Sequence, residues 1–275
     1  MKSINATTGS YNFIDLFAGA GGLSEGFIQA GFSPVAHVEM NPYAAQTLET
    51  RTGFYYLKAQ GKLDVYKEYI SGKITRDEFL RHVPEEQLQS VFCETMSNET
   101  LPGLFENIDK ILTQRGIKQV DVIIGGPPCQ DYSSAGQQDE TRGRANLTIR
   151  FAELVCESGV QWFVMENVDR IEKSQTLPKA IAMFRDAGYG LTRVVLDASR
   201  CGVPQKRKRF FMIGRLGSED DFLEHSLLSD QNDHNMTIRE YLGDEFDTEF
   251  YYRHPRSYAR RGIFSIDEPS PTVRG

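Results

Sequence analysis

The chain has 275 residues, 40% of them hydrophobic and 25% charged, which is enough to bury a large core. Its formal net charge of −7 gives no global positive field, so any nucleic-acid binding would depend on local basic patches. The four cysteines form no Cys-x-x-Cys pair, which argues against a zinc site or a disulfide framework and favours a reducing, intracellular setting. No segment approaches the roughly 20 apolar residues of a membrane span, and residues 1–9 contain no apolar signal core. The sequence therefore predicts a soluble, cytoplasmic protein with no membrane or metal partner.

A glycine-rich turn joins the first predicted strand to the first predicted helix. Tyr11–Phe17 indicates the strand, Ala18-Gly-Ala-Gly-Gly22 the turn and Leu23–Ala30 the helix. Glycines in such a turn let backbone N–H groups approach a ligand, and the helix N-terminus points at it. A second strand, Val35–Glu39, ends on an acid about 20 residues after the turn, where a ribose would bind. The Gly-x-Gly-Gly spacing has no evident pyrophosphate site, so a nucleoside such as S-adenosylmethionine fits best, with an ordinary tight turn as the alternative.

The next segment, from Arg51 to about Ser90, is polar and charged with apolar residues at helical spacing. It predicts a helical insertion, in which one helix starts near Thr75 and stops before Pro84. A third strand and a further helix are then predicted, at Val91–Glu94 and Asn107–Gly116.

A single cysteine follows the most apolar strand. Val120–Ile124 is β-branched and apolar, which is typical of a buried central strand in a parallel sheet. Gly125-Gly126 ends that strand, and Pro127-Pro128 stiffens the backbone before Cys129. Because ligands bind at the carboxyl ends of strands in open α/β sheets, Cys129 is a candidate nucleophile; an inert buried cysteine is the alternative. The polar, glycine-containing segment Gly136–Asn146 is typical of a mobile loop over a site.

Charged residues lie at the end of one later predicted strand and at the start of another. Gln161–Met165 predicts a buried strand that ends on Glu166, where a carboxylate could serve acid–base chemistry. Arg207 and Arg209 should share one face of a strand, as two guanidiniums that suit a phosphate or a base carbonyl. A solvated glutamate at a helix start and a solvated basic edge are the alternatives. Further helices are predicted at Leu147–Ser158 and Ser174–Gly188, and strands at Arg193–Ser199 and Phe210–Ile213.

Four of these segments together resemble the cytosine-5 DNA methyltransferase family, in its order and approximate spacing. They are Asp15-Leu-Phe-Ala-Gly-Ala-Gly-Gly22, Gly126-Pro-Pro-Cys-Gln130, Glu166-Asn-Val168 and Gln205-Lys-Arg-Lys-Arg209. The resemblance implies an α/β fold with a doubly wound, mostly parallel sheet, the S-adenosylmethionine-dependent methyltransferase (Rossmann-like) fold, with a helical insertion. It implies a catalytic domain at residues 1–215, with the insertion at about 51–90, and an incomplete target-recognition or C-terminal region at residues 216–275.

The resemblance also implies the reaction, which is methyl transfer from S-adenosylmethionine to C5 of cytosine in double-stranded DNA. Cys129 would add covalently to a flipped-out base, Glu166 would bind its N3 and N4 edge, and Arg209, with Arg207, would hold O2. Ser97 or Asn98 could replace an acid that usually binds the adenine amino group. The expected cofactor-binding residues are Phe17, Ala18, Gly19, Gly21, Gly22, Glu39, Met40, Pro127 and Leu147. A bacterial restriction-modification enzyme, associated with the nucleoid through DNA, is the expected setting.

Departures from the family pattern leave alternatives open. Tyr132 stands where a phenylalanine is often found, and Cys201 stands where an aromatic residue is common. The chain stops at Pro269–Gly275, which resembles only the lead-in to the family's late motifs. The expectation is a truncated chain, or the larger chain of a split enzyme whose second subunit supplies the remainder. The tail is basic and could contact phosphates through Arg253, His254, Arg256, Arg260 and Arg261. A transfer RNA cytosine-5 methyltransferase and a catalytically silent cofactor- or DNA-binding subunit are the alternative functions.

Overall fold

The computed structural model describes residues 11–128, 147–245, 247–254 and 262–272. The α-helices are α1 (Gly22–Gln29), α2 (Pro42–Ala59), α3 (Leu63–Ile70), α4 (Arg76–Leu80), α5 (Glu85–Leu88), α6 (Leu101–Gln114), α7 (Leu147–Ser158), α8 (Thr176–Asp186), α9 (Glu224–Ser229) and α10 (Ile238–Leu242). The strands are β1 (Asn12–Leu16), β2 (Ser33–Glu39), β3 (Val91–Cys93), β4 (Val122–Gly125), β5 (Trp162–Val168), β6 (Tyr189–Asp197), β7 (Gln205–Lys206), β8 (Lys208–Leu216), β9 (Phe250–Tyr252), β10 (Ile263–Ser265) and β11 (Ser270–Pro271). No helix among these residues is both long enough and apolar enough to cross a membrane.

These residues form two compact units, and the division falls between residues 165 and 166. The first unit contains residues 11–128 and 147–165, and the second contains the described residues from 166 onward. This division does not test the predicted domain boundary at residue 215, which remains a prediction.

The first unit is built on parallel strands in the order β3-β2-β1-β4-β5. All residues of β1 and β4 are buried, as expected for central strands that are covered on both faces. The chain leaves β1 toward β2 on one side, and β4 and β5 lie on the other side, so the strand order reverses between β1 and β4. The loops at the carboxyl ends of these two strands therefore lie at a topological switch point, where open α/β sheets bind ligands. The predicted α/β fold with a mostly parallel sheet is confirmed.

A glycine is required at the end of β4. Leu16 of β1 pairs with Gly125 of β4, and a Cβ on Gly125 would lie 2.5 Å from the Leu16 carbonyl oxygen. The same Cβ would lie 2.8 Å from the ring of Phe151, which is fully buried in α7. The Gly125 position therefore combines close strand approach with a packed helix, and a larger residue would separate them.

The segment predicted as a helical insertion, at about residues 51–90, contains α3 to α5 and the second half of α2, which begins earlier, at Pro42. Tyr69 and Phe79 stack with ring centroids 4.9 Å apart, and a Cβ on Gly53 of α2 would come within 2.8 Å of Phe79. Thr75 forms a capping box with Glu78 at the start of α4, as its sequence predicts. This helix ends at Leu80, and α5 follows Pro84.

One predicted boundary is wrong by six residues, since α6 begins at Leu101 and not at Asn107. Pro102 and Gly103 follow Leu101 and lie before the predicted start of the helix. Proline is tolerated in the first helical turn, however, because its missing N–H has no intrahelical partner there.

The second unit is centred on the antiparallel pair β6 and β8, which runs from Tyr189↔Leu216 to Asp197↔Lys208. Two small sheets accompany it. Strands β9 and β10 are antiparallel, and β11 pairs in parallel with β7 through Ser270↔Gln205. Residues near the end of the chain thus pair with the strand that precedes Arg207 and Arg209.

Candidate active site

The glycine turn after β1 has a backbone conformation that depends on its glycines. Phe17, Gly19 and Gly21 all have positive φ angles, of 59°, 55° and 84°. A positive φ at phenylalanine is uncommon and marks a position that the surrounding structure enforces. Gly21 is the N-cap of α1 and supplies no side-chain cap, so the first-turn N–H groups are open to a ligand. A Cβ on Gly19 or Gly22 would meet no described atom within 4 Å, which leaves open space beside the turn.

The carboxylate of Glu39 is fixed against this turn. Its Oε2 accepts a hydrogen bond of 2.8 Å from the Gly19 N–H, and its Oε1 accepts one of 2.7 Å from the Asn41 N–H. The Ala18 N–H donates to the Val38 carbonyl at 3.1 Å, which ties the turn to β2. The end of β2 therefore places an oriented acid beside the glycines, and the neighbouring Met40 side chain is 56% exposed.

A buried acid beneath the turn was missed by the sequence analysis. Asp15 of β1 is fully buried, and its Oδ2 accepts a hydrogen bond from the Ser24 hydroxyl of α1. Its Oδ1 has no hydrogen-bond partner among the described residues. Burial, opposed by the Ser24 hydrogen bond and reinforced by the charge of Glu39, raises the pKa of Asp15 to about 7. The available signal was an acid inside an otherwise apolar strand.

The loop after β4 leads to the candidate nucleophile. Pro127 is buried and Pro128 is exposed. Cys129 lies outside the described residues, as do Tyr132 and the predicted loop Gly136–Asn146. Leu147 is half-buried and begins α7, in the same unit as Pro127.

In the second unit, the end of β5 and the start of β8 bring two predicted residues into contact. Arg209 Nε lies 2.7 Å from Glu166 Oε1, and the two side chains remain 21% and 26% exposed. Burial raises the pKa of Glu166, while Arg209 and Arg207 act against that rise. Burial and the charge of Arg209 lower the pKa of the Arg207 guanidinium. A carboxyl group whose pKa is raised by burial therefore lies beside guanidinium donors, an arrangement suited to the polar edge of a planar ligand.

Other predicted site residues have local partners. Asn98 Oδ1 accepts a hydrogen bond from Arg150, and Ser97 Oγ donates to Glu99 at 3.0 Å. Arg253 donates to the carbonyl oxygens of Pro271 and Thr272, at 3.1 and 2.8 Å, so it braces the described end of the chain. Arg256, Arg260 and Arg261 lie outside the described residues, and Cys201 is exposed. The described residues contain no cluster of His, Cys, Asp and Glu side chains that could hold a metal ion.

Comparison with known proteins adds a family match over most of the chain. The model of the C-5 cytosine-specific DNA methylase family matches residues 11–79 and 75–264. The Type II methyltransferase M.HindV of Haemophilus influenzae is 45% identical over 262 residues, which cover 95% of this chain and 72% of M.HindV. The Type II methyltransferase M.HgiDI of Herpetosiphon aurantiacus is 42% identical over 263 residues, covering 95% of this chain and 71% of M.HgiDI.

A solved structure shares the fold. It is that of a protein described as a DNA modification methyltransferase and encoded within an E. coli prophage, with a TM-score of 0.52 and 24% sequence identity. The match covers 92% of this chain and 62% of the prophage protein, so this chain spans less than two thirds of that structure.

Proposed function

Since this chain belongs to the C-5 cytosine-specific DNA methylase family, we propose that it transfers a methyl group from S-adenosylmethionine to C5 of cytosine in double-stranded DNA. The observation that carries the proposal is the contact between Glu166 and Arg209, because these groups match the edge of a cytosine. Cytosine offers N3 and O2 as acceptors and the N4 amino group as a donor. A protonated carboxyl at Glu166 would donate to N3 and accept from N4, and the guanidinium of Arg209, with Arg207, would donate to O2.

Cys129 would be the nucleophile, because C5 of cytosine is too poor in electrons to attack a methyl donor unaided. Its thiolate would add to C6, forming a C6–S bond and moving the electron pair of the C5=C6 bond to C5. C5 would then form the bond to the methyl group as the bond between that methyl group and the sulfonium sulfur breaks, so that S-adenosylhomocysteine would leave. Removal of the C5 proton by a base would restore the C5=C6 bond and expel the thiolate, so that Cys129 is regenerated.

Glu166 would assist the addition through its proton. A hydrogen bond from its carboxyl to N3 draws electron density from C6, which makes C6 a better target for the thiolate. The raised pKa of Glu166 supports this role, because burial favours the protonated form of its carboxyl against the opposing charges of Arg209 and Arg207. These atoms lie inside the stack of a duplex, so the target base would be flipped out before reaction.

The glycine turn and the end of β2 fit a nucleoside cofactor. Open space beside Gly19 and Gly22, the uncapped N-terminus of α1 and the oriented Glu39 carboxylate support this assignment. Glu39 would accept from the ribose hydroxyls, and Met40 and Phe17 would contact the base. When bound, S-adenosylmethionine supplies the methyl group from its positively charged sulfonium sulfur. The other residues proposed to hold it are Ala18, Gly21, Pro127 and Leu147.

The Type II methyltransferases among the relatives favour a restriction-modification system as the setting. Their sequences extend beyond the part that this chain matches, by somewhat more than a quarter of their length. We propose that recognition of the DNA sequence depends on such a further region, carried on a second subunit or a continuation of the chain.

The test is methyl transfer from labelled S-adenosylmethionine to mixed-sequence duplex DNA and to transfer RNA. It uses wild-type protein and Cys129→Ala, each alone and together with a polypeptide that carries the further region proposed above. The expected result is labelled 5-methylcytosine in DNA, absent with Cys129→Ala. Labelling of RNA alone would favour the transfer RNA enzyme, and full activity of Cys129→Ala would refute the proposed mechanism.

A further inference from the structure

A cavity of about 490 Å³ lies in the first unit between α1, α2 and the start of β2. Ile28 and Phe32 line it from the side of α1, and Thr52, Tyr55 and Tyr56 line it from α2. Its volume is within the usual range for sites that enclose a small organic molecule.

This cavity is separate from the proposed cofactor site. Ser33 and Pro34, at the start of β2, line it, whereas Glu39 lies at the opposite end of the same strand. None of the residues assigned to the cofactor is part of its described lining. Its lining includes Leu48 and Arg51, which a Cβ on Gly21 would approach within 2.9 and 3.0 Å. The cavity therefore lies behind the glycine turn.

A buried histidine lines the cavity with an unsatisfied ring nitrogen. His37 of β2 is only 4% exposed, and its Nδ1 has no hydrogen-bond partner among the described residues. Burial, together with the charge of Arg115, lowers the pKa of His37 to about 4, so the ring is neutral at physiological pH. A neutral imidazole donates one hydrogen bond and accepts another. A buried polar atom without a partner is costly, and a hydroxyl or N–H group on a ligand would satisfy it.

The charged side chains of the lining are cationic. Arg51 and Arg115 contribute to it, and no aspartate or glutamate is among its described lining residues. Arg51 is already paired with Glu25, which also accepts a 2.6 Å hydrogen bond from the Tyr55 hydroxyl. Arg115 donates through Nη1 to the Pro34 carbonyl at 2.9 Å, and no carboxylate among the described residues forms an ion pair with it. Its remaining guanidinium donors can serve an anion.

We infer that this cavity binds a small aromatic anion, with its ring between Phe32 and the α2 tyrosines, its carboxylate or phosphate on Arg115 and a polar group on His37. The aromatic and aliphatic walls favour a planar ring, because such walls bury apolar surface without demanding hydrogen bonds. The cation without a carboxylate partner selects against neutral and positively charged molecules. The site is independent of methyl transfer, and its occupancy can be measured without activity.

Calorimetric titration tests this inference with 4-hydroxybenzoate as the carboxylate and thymidine 5′-monophosphate as the phosphate. Neither probe contains adenine or cytosine, and saturating S-adenosylhomocysteine is present throughout to fill the cofactor site. Their neutral counterparts are 4-hydroxybenzamide and thymidine. The variants are Arg115→Gln, Thr52→Trp, which fills the cavity, and Lys118→Gln. Lys118 is exposed and outside the described lining, so the last variant is the control for loss of one positive charge.

The expected result is one-to-one binding of at least one anion, with its neutral counterpart about tenfold or more weaker. Arg115→Gln should weaken binding about tenfold and Thr52→Trp should abolish it, while Lys118→Gln leaves it unchanged. Circular dichroism confirms that each variant is folded. Two results would overturn the inference. One is absence of binding by both anions, as for a cavity that holds only water. The other is binding to the folded Arg115→Gln and Thr52→Trp variants that is as tight as binding to wild-type protein.

Discussion

Replacement of Asp15 by asparagine should stabilise the protein at high pH and not at low pH. Asp15 is fully buried, one of its oxygens has no partner among the described residues, and its pKa is raised from 3.8 to about 7. A rise of roughly 3 pKa units corresponds to about 4 kcal/mol, at 1.36 kcal/mol per unit. For an acid with a raised pKa, the full stability is present below the unfolded pKa and is lost as pH rises through the folded pKa. Wild-type protein should therefore lose up to about 4 kcal/mol from this group between about pH 4 and 8.

Asparagine has the same shape and can keep the hydrogen bond to Ser24, but it does not ionise. The free energy of unfolding of Asp15→Asn, relative to wild type, should thus rise by several kcal/mol between pH 5 and pH 8. Urea denaturation at both pH values measures this difference. Asp64→Asn is the matched control: the Asp64 side chain is 92% exposed, so the change should stay within about 0.5 kcal/mol. An equal effect of Asp15→Asn at the two pH values would refute the assignment of Asp15 as a buried acid with a raised pKa.

Four further substitutions test the fold and the contact between Glu166 and Arg209. Gly125→Ala should destabilise the protein by about 1–3 kcal/mol, because its Cβ would lie 2.5 Å from the Leu16 carbonyl oxygen. Gly103→Ala in α6 has open space and should stabilise by about 0.5–1 kcal/mol; thermal melts that rank the two alike would contradict this reasoning. Glu166→Gln should lower the rate of methyl transfer about 100-fold or more. The unfolding free energy of this variant relative to wild type should increase with pH, since burial raises the pKa of Glu166. Near-normal transfer by this variant would exclude Glu166 as the proton donor. Thr75→Ala removes the capping box of α4 and should cost about 1 kcal/mol in chemical denaturation, and no change would show that this cap is dispensable.

Local patterns were sufficient to predict the glycine turn and its surrounding elements. The apolar strand before Gly19, the helix after it and the acid at Glu39 all follow from residues that are close in sequence. The strand that ends at Gly125 was equally clear, because β-branched residues and a glycine pair leave few alternatives. The start of α6 was missed because Pro102 would break the interior of a helix but is tolerated in the first turn of one.

Properties that depend on tertiary contacts could not be predicted from local patterns. Glu166 and Arg209 are far apart in the sequence, and the 2.7 Å contact between them arises only when the end of β5 and the start of β8 come together. The raised pKa of Asp15 and the unsatisfied nitrogen of His37 depend on the burial of both side chains, which arises only in the folded protein. The resemblance named Cys129, Glu166 and Arg209 as chemical groups, but the chemical state of each is set by its surroundings.

The most direct test of the account is the capture of the covalent adduct on Cys129. Duplex DNA in which 5-fluorocytosine replaces the target cytosine is incubated with the protein and S-adenosylmethionine. The products are then separated under denaturing conditions. Release of the cysteine requires a base to remove a proton from C5, and fluorine at C5 cannot be removed in this way. The C6–S bond should therefore persist after methyl transfer. The account predicts a stable protein–DNA complex with wild-type protein, mass spectrometry that places the attachment on Cys129, and no complex with Cys129→Ala. A complex that forms equally well with Cys129→Ala, or none from a preparation that methylates ordinary DNA, would contradict it.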